Sequence, residues 1–301
     1  MATTFTRVSD SGSTAGAATE ITLNELGFFS LSAVRTAAKN LKLIGWSTGG
    51  NTVSRLADSG NQAGEVSEIS MTRNLNRTVT AVRTASNTLK LISWNDNAEL
   101  NNITRLKDSG NQAGEADLIA IQPVVSGSDA DLVTACRTGA GILRLISWNL
   151  QSGDGALTRL GDSGNLAGEV GLIALTANRN ICITAVRTGA GTLKLINWSI
   201  SPDGAIITRL GDSEAGQATN IAISRFSPSR YVTAVRTGSG SLLLIAYDVS
   251  PSGAVTRTGD SGNQAGAVSE VALITPSNNK LVTAVRDGAG NLKIITWNMQ
   301  N

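Results

Sequence analysis

The tripeptide Asp-Ser-Gly, or a close variant of it, begins at Asp10, Asp58, Asp108, Asp162, Asp212 and Asp260, at intervals of 48, 50, 54, 50 and 48 residues. Such a period argues against one irregular globule, because each copy is a supersecondary unit that buries its apolar surface by stacking on its neighbours. Two further markers keep the same interval. An arginine in Ala-Val-Arg-Thr and its relatives recurs at Arg35, Arg83, Arg137, Arg187, Arg236 and Arg286, and an aromatic residue follows each by 11 positions. The aromatics are Trp46, Trp94, Trp148, Trp198, Tyr247 and Trp297, so all five tryptophans of the chain occupy one repeat position. A second arginine stands three residues before each aspartate, at Arg7, Arg55, Arg105, Arg159, Arg209 and Arg257.

Each unit reads as four short strands, a to d, separated by turn chemistry. In the fourth unit the runs are 170–175, 183–188, 193–198 and 205–210, rich in Val, Ile, Leu and Thr and bounded by Gly, Asn, Ser and Pro. That is the composition of strands, and no helical periodicity of useful length competes with it. The b–c connection, Gly189-Ala190-Gly191 in this unit, supplies glycine for the positive φ angles of a tight hairpin. Strands b and c carry apolar residues on both faces, as in Leu193, Leu195, Ile196 and Trp198, the pattern of a sheet buried on both sides. Strand a places a small residue at one position in every unit, at Thr22, Ser70, Ala120, Ala174, Ala222 and Ala272, as crowding around an axis requires.

These features predict an all-β fold, a six-bladed β-propeller with four antiparallel strands per blade. The blades are expected over 17–57, 65–107, 115–161, 169–211, 217–259 and 267–301, the last completed by residues 2–9, in a single domain. The last unit supplies strands a, b and c and no d, whereas the chain opens with Phe5-Thr6-Arg7-Val8-Ser9-Asp10, a strand d without a blade. An N-terminal strand closing the last blade leaves no open edge around the ring. The arrangement resembles the sequence-repetitive bacterial propellers, among which lectin-type propellers with near-identical blades are a familiar group. The resemblance covers the whole chain through architecture and blade similarity, and carries over no site residue.

Composition narrows the partners. Lys and Arg number 25 and Asp and Glu 23, a net charge of +2, too small for the field that nucleic-acid binding requires. Histidine is absent, which removes the commonest general base and zinc ligand, and no spacing points to a metal or other cofactor. Calcium is disfavoured because the Asp-Ser-Gly-Asn-Gln loop offers one charged ligand where calcium loops supply several. Cys136 and Cys182 are one-off substitutions, read as small buried apolar residues. The opening Met-Ala-Thr-Thr-Phe-Thr-Arg is neither a charged leader nor an apolar run, and no stretch approaches the roughly 18 apolar residues of a membrane span. The chain therefore reads as soluble, without a Sec-type signal or membrane insertion, cytoplasmic or exported by a non-classical route, with homo-oligomer formation left open.

Candidate binding residues are the repeated ones. In a four-stranded blade the d–a and b–c connections share one face. Each unit brings to it an aspartate (Asp58, Asp108, Asp162, Asp212, Asp260), a strand-b arginine (Arg83, Arg137, Arg187, Arg236) and a strand-c cation (Lys42, Lys90, Arg144, Lys194, Lys293) beside Asn, Gln and Ser donors. Two roles fit these groups. They line ligand pockets between blades, or Asp pairs with the strand-b Arg to fix the turn while Ser and Asn satisfy loop backbone. The strand-d arginine reads as a solvated or stacking residue. Trp46, Trp94, Trp148, Trp198 and Trp297 end strand c toward the other face, where such a ring stacks on a sugar or wedges between blades. Blade five, with Tyr247 for Trp, Leu243 for the cation and the shortened loop Asp212-Ser213-Glu214-Ala215-Gly216, is the expected defective site.

Catalysis needs one place where the environment breaks symmetry, and near-identical units supply six of everything instead. No catalytic residue and no enzymatic activity is expected; Glu99, Asp131 and Asp154, outside the repeat consensus, read as loop insertions. Repetition favours binding, because weak sites on a ring gain roughly 10²–10⁴ in avidity against a repetitive surface. The expectation is a multivalent, lectin-like protein that binds glycans on cell surfaces or glycoproteins through inter-blade sites. The alternative is a non-catalytic structural or protein-interaction propeller within a larger assembly.

Overall fold

A computed structural model describes residues 8–49, 51–74, 77–97, 99–124, 131–262, 264–277 and 280–299. Repeat one comprises β1 (Ala18–Leu26), β2 (Phe29–Thr36), β3 (Leu41–Ser47) and β4 (Ser54–Asp58). Repeat two comprises β5 (Val66–Asn74), β6 (Arg77–Thr84), β7 (Leu89–Asp96) and β8 (Ile103–Asp108). Repeat three has β9 (Ala116–Pro123), β10 (Leu132–Thr138), β11 (Leu143–Leu150) and β12 (Leu157–Asp162). Repeats four and five run through β13 (Val170–Asn178), β14 (Ile181–Thr188), β15 (Thr192–Ile200), β16 (Ile207–Arg225), β17 (Arg230–Thr237), β18 (Leu242–Val249) and β19 (Val255–Asp260). Repeat six has β20 (Val268–Ser277), β21 (Lys280–Asp287) and β22 (Leu292–Asn298).

Every strand pairs with its neighbour in sequence, yet the six separate four-stranded blades expected from the period are not what the sheets give. The described residues form three four-stranded sheets, one seven-stranded sheet from β13 to β19 and one three-stranded sheet from β20 to β22. The seven-stranded sheet has a local cause. The loop after Asp212 is two residues shorter than Asp58-Ser59-Gly60-Asn61-Gln62-Ala63-Gly64, so the chain never turns out of the sheet. The resulting 19-residue β16 serves as strand d of repeat four, pairing Arg209 with Trp198, and as strand a of repeat five, pairing Ala222 with Ala234. The strand expected to complete repeat six falls on residues 2–9, of which Val8 and Ser9 alone are described; closure of the ring lies outside the described residues.

The chain divides into two compact bodies, Met1–Ile121 with Leu150–Arg159 and Gln122–Asn149 with Leu160–Asn301. Within each, the core lies between consecutive repeats. In the first body Leu31, Ala33, Leu41 and Leu43 of repeat one pack with Val66, Met71, Val82, Ile92 and Trp94 of repeat two. In the second, Ile183, Ala185, Leu193 and Leu195 meet Tyr231, Val235, Ile245 and Tyr247. Val232, Ala234, Leu242 and Leu244 then meet Val268, Leu273, Leu281 and Val285. The apolar residues on both faces of strands b and c are thus used twice, once toward each neighbouring repeat. Among the described residues no helix is long and apolar enough to cross a membrane.

Candidate functional site

The d–a loop is a self-contained turn. The carboxylate of Asp58 accepts the Gly60 N–H (2.7 Å), and the same bond recurs at Asp10, Asp108, Asp162 and Asp260. The next residue, Ser59, is buried and closes the loop onto strand c: Leu43 N–H donates to its hydroxyl (3.0 Å), and its own N–H donates to the Leu43 carbonyl (2.9 Å). Ser109, Ser163 and Ser261 repeat the hydroxyl contact. Gly60 (φ +59) and Gly64 (φ +73) hold left-handed conformations, which is why both positions of the motif are glycine.

The aspartate's arginine is the strand-d one, which corrects two expectations at once. Arg55, Arg105, Arg209 and Arg257 bond Asp58, Asp108, Asp212 and Asp260, three residues ahead of each. A second guanidinium nitrogen reaches back to the preceding loop: Arg55 to the Thr14 carbonyl (2.7 Å), Arg105 to Gln62 (2.7 Å), Arg159 to Gln112 (2.6 Å) and Arg209 to Leu166 (2.7 Å). Residues 105 and 159 also donate their N–H to the side-chain oxygens of Gln62 and Gln112. The strand-d arginine is therefore a latch between consecutive turns, not a solvated residue. Its sequence signal was the invariant Arg-x-x-Asp offset, since at three positions along a bulged strand the two side chains share a face.

Electrostatics follow from that pairing. Burial acts to raise the Asp58 pKa, but the Gly60 amide, Lys42 (3.9 Å) and Arg55 together outweigh it and hold the carboxyl below its ordinary value. Lys194 stands in the same relation to Asp212 (3.8 Å) and also meets Glu214. The expected aspartates are thus held by turn amides and latches.

The strand-b arginines sit opposite, facing the next repeat. Arg35 Nε donates to the Val66 carbonyl and Arg236 Nε to the Val268 carbonyl, both at 2.6 Å, tying strand b to the start of the following strand a. Arg83 and Arg187 are half-buried at the same position, and their Nε–H groups are buried without a hydrogen-bond partner among the described residues. Arg144 Nε on strand c shares that condition. Arg137 is next to last in β10, at the corresponding place. Beside these groups the b–c turns are rich in hydroxyls, with Thr84, Ser86 and Thr88 bonded to one another and Thr188 bonded to Thr192. The third turn residue is left-handed in all six hairpins, glycine in repeats three to six but Lys39 (φ 65) and Asn87 (φ 62) in the first two.

The tryptophans are core residues. Trp94, Trp148 and Trp198 are fully buried and Trp46 is 8% exposed, so these four offer no ring face to a sugar, whereas Trp297 is half-buried and borders a cavity of about 450 Å³. Each indole N–H donates to a hydroxyl 14 residues earlier: Trp46 to Ser32 (2.8 Å), Trp94 to Thr80, Trp148 to Thr134, Trp198 to Thr184 and Trp297 to Thr283 (all 3.0 Å). Burying an aromatic removes roughly 150–250 Å², worth about 4–6 kcal/mol as an upper estimate. In repeat five Tyr247 takes the place and is fully buried; burial pushes its hydroxyl up to about 12.

Groups outside the repeat consensus are scattered. Asp96 is buried against Arg73 (3.3 Å) and accepts the Thr78 N–H and hydroxyl (3.1 Å each); burial raises its pKa, with Arg73 and Thr78 opposing. Asn149 donates to Asp131 at 3.3 Å, Glu99 accepts from Asn101, and Asp154 caps the Ala156 N–H. Cys136 and Cys182 are buried, and burial pushes the Cys182 thiol up. Between strands a, Glu68 accepts the Ile119 N–H and Asn220 accepts the Val271 N–H, both at 3.3 Å.

No family model matches the sequence, and no curated protein is similar to it in sequence. Solved structures are similar in fold. They include a chain of the mitotic checkpoint complex (14% identity, TM-score 0.60, covering 93% of this chain and 74% of that one). A Lactobacillus plantarum protein matches at 12% identity and TM-score 0.61, covering 92% and 83%. A Bacteroides fragilis protein proposed to be a 6-phosphogluconolactonase matches at 14% identity and TM-score 0.62, covering 93% and 84%. At these identities the likeness defines the fold alone: the chain is an all-β propeller built on four-stranded antiparallel sheets.

Proposed function

We propose that this propeller is a non-catalytic, multivalent carbohydrate-binding protein, with sites at the junctions of consecutive repeats on the face that carries the b–c turns and d–a loops. The observation that carries the reading is the pair of half-buried guanidiniums, Arg83 and Arg187, whose Nε–H groups lack the carbonyl that Arg35 and Arg236 bond. A buried donor without an acceptor costs about 1–3 kcal/mol, so a ligand oxygen placed there recovers that energy. Threonine and serine hydroxyls of the adjoining turns supply the neutral donors and acceptors that sugar hydroxyls require. Asp58, Asp108, Asp162 and Asp260 shape the turns in this reading, Asp212 pairs with Arg209 and Lys194 within β16, and the buried tryptophans hold the repeats together. The six repeats are taken as six blades, the fourth and fifth joined through β16; six sectors in electron-microscopy class averages test that count.

A glycan array that includes acidic and neutral sugars tests the binding. The expected result is a defined glycan bound by the intact chain and lost in an Arg83→Ala/Arg187→Ala variant of unchanged melting temperature. An array blank at high protein concentration overturns the proposal. That outcome favours the second reading, a structural or protein-interaction propeller, which is supported by the burial of Trp46, Trp94, Trp148 and Trp198: folding alone accounts for their repetition.

A further inference from the structure

Two positions that carry charge in other repeats are neutral together at the junction of repeats four and five. Leu243 stands where the other repeats have Lys42, Lys90, Arg144, Lys194 and Lys293, and Gln217 stands where Glu65, Glu115 and Glu169 bridge to the b–c turn of the repeat before. Both border a cavity of about 340 Å³ that lies within one compact body. Leu193, Leu243 and Ile245 give it an apolar floor, and Gln217, Thr237 and Ser239, nearer to solvent, supply its polar side chains. The Thr237 hydroxyl accepts the Ser241 N–H (3.1 Å) and shares one hydrogen with the Ser239 hydroxyl (2.9 Å), which leaves the pair a second hydrogen to donate. Gln217 Nε2 donates to the Ala190 carbonyl (3.4 Å), and its Oε1 accepts no hydrogen bond from the described residues. A Cβ placed on Gly191 would lie 2.6 Å from that oxygen and 3.3 Å from a guanidinium nitrogen of Arg187, so the unused acceptor stands beside the guanidinium of the same junction.

We propose that this cavity takes the acetamido group of a 2-acetamido sugar, with the methyl on the apolar floor, the amide N–H on Gln217 Oε1 and the carbonyl oxygen on the Thr237 and Ser239 hydroxyls. The inference rests on the reading of the junctions as glycan sites and names the sugar for one of them. The lining chooses among sugar substituents. A plain hexose has hydroxyls and no apolar group to cover Leu193, Leu243 and Ile245. A 6-deoxy sugar has a methyl but no amide donor beside it for Gln217. A carboxylate needs the strand-c cation that Leu243 replaces. An acetamido group joins a methyl, a donor and an acceptor across the span of one amide, which is the set this cavity complements. The substitutions that read in the sequence as a defect of repeat five are then a change of specificity.

Titration of the intact chain with the methyl glycosides of N-acetylglucosamine, N-acetylgalactosamine, glucose and galactose, read by saturation-transfer NMR, tests the site. One acetamido sugar is expected to bind about tenfold or more tightly than its parent hexose, within the roughly 10–200-fold that a pocketed methyl group supplies, with the strongest saturation at the acetamido methyl. Leu243→Lys, which installs the residue of the neighbouring repeats, is expected to erase that preference, and Leu243→Met to keep it. Gln217→Glu, an exposed change, is expected to weaken the acetamido sugar alone and serves as the readout should Leu243→Lys lower the melting temperature. Equal binding of an acetamido sugar and its parent hexose, or a preference that survives both Leu243→Lys and Gln217→Glu, overturns the acetamido site. Where the sugars bind equally and are lost in Arg83→Ala/Arg187→Ala, the acetamido site falls and the junction reading stands. Where the acetamido preference is lost in Leu243→Lys but kept in Arg83→Ala/Arg187→Ala, the site stands and the guanidiniums do not carry it. Saturation of none of the four glycosides overturns the site outright.

Discussion

Arg105 holds Asp108, three residues ahead on its own strand, and with a second nitrogen takes the Gln62 carbonyl of the preceding loop at 2.7 Å. One side chain thereby joins two turns that are 46 positions apart in sequence, Gln62 and Asp108. The repeat at 48 to 54 residues is in this sense the spacing of a latch as well as of a sheet.

Arg105→Ala is therefore expected to lower the unfolding free energy by about 1–3 kcal/mol, since a partly buried carboxylate and a carbonyl lose their donor. Arg257→Ala is expected to cost less. Arg257 bonds Asp260, is 40% exposed on its side chain, and follows the shortened loop. Urea titrations of the two variants make the comparison, and equal losses would sink the latch. Arg105→Lys retains charge without the planar fork and is expected to fall nearer to alanine than to arginine.

Trp148 donates its indole N–H to the Thr134 hydroxyl in a fully buried site. Trp148→Phe removes the donor to that hydroxyl and is expected to cost about 1–3 kcal/mol, while Trp148→Ala opens a cavity and costs about 3–5 kcal/mol. A tryptophan presented to sugars would tolerate either change to within about 0.5 kcal/mol. Equilibrium unfolding measures the difference.

Strand positions were legible because alternating Val, Ile, Leu and Thr between glycine turns leaves little choice: the runs 183–188 and 193–198 are found inside β14 and β15. The joined sheet was not legible, because a two-residue loop deletion changes a turn into a continuous strand only when both flanking registers are known. The role of the tryptophans was equally hidden. Trp flanked by Ser and Asn suits stacking and packing alike, and the decision rests on which face of the strand the ring occupies. The Thr80 to Trp94 offset of 14 residues was visible, but its meaning required the hairpin pairing of Thr80 with Ile92. The Arg-x-x-Asp latch was printed in every repeat; strand alternation alone sets residues three apart on opposite faces, and only the bulge between Ser93 and Trp94 reunites them.

Gly161 offers a test of how tightly consecutive repeats fit. A Cβ at that position would lie 2.2 Å from the Ala205 carbonyl oxygen, a backbone atom that cannot rotate away. The first two repeats carry Ala57 and Lys107 at the same place. Gly161→Ala is expected to cost about 1–3 kcal/mol through overpacking. Gly211→Ala, 2.8 Å from the Gly253 carbonyl, is expected to cost less. A melting temperature unchanged in Gly161→Ala would contradict so close an approach.

Asp96 and Asp58 predict opposite responses to acid. Burial raises the Asp96 pKa above its ordinary value of 3.8 against the pull of Arg73 and Thr78, so between that value and the raised one the folded chain binds more protons than the unfolded chain. The contribution of Asp96 is accordingly largest at low pH and is lost as pH rises through the window above 3.8. Asp58 is lowered: burial raises it, but the Gly60 amide, Lys42 and Arg55 prevail, so its contribution is present above 3.8 and is lost as pH falls below. Asp96→Asn is therefore expected to gain stability relative to the parent chain as pH rises from 3.8, reaching a plateau, whereas Asp58→Asn loses ground over the pH range just below 3.8. Urea unfolding at closely spaced pH values from 3 to 6 reads both slopes, and parallel curves for Asp96→Asn and the parent would show that the buried carboxyl titrates as an ordinary one.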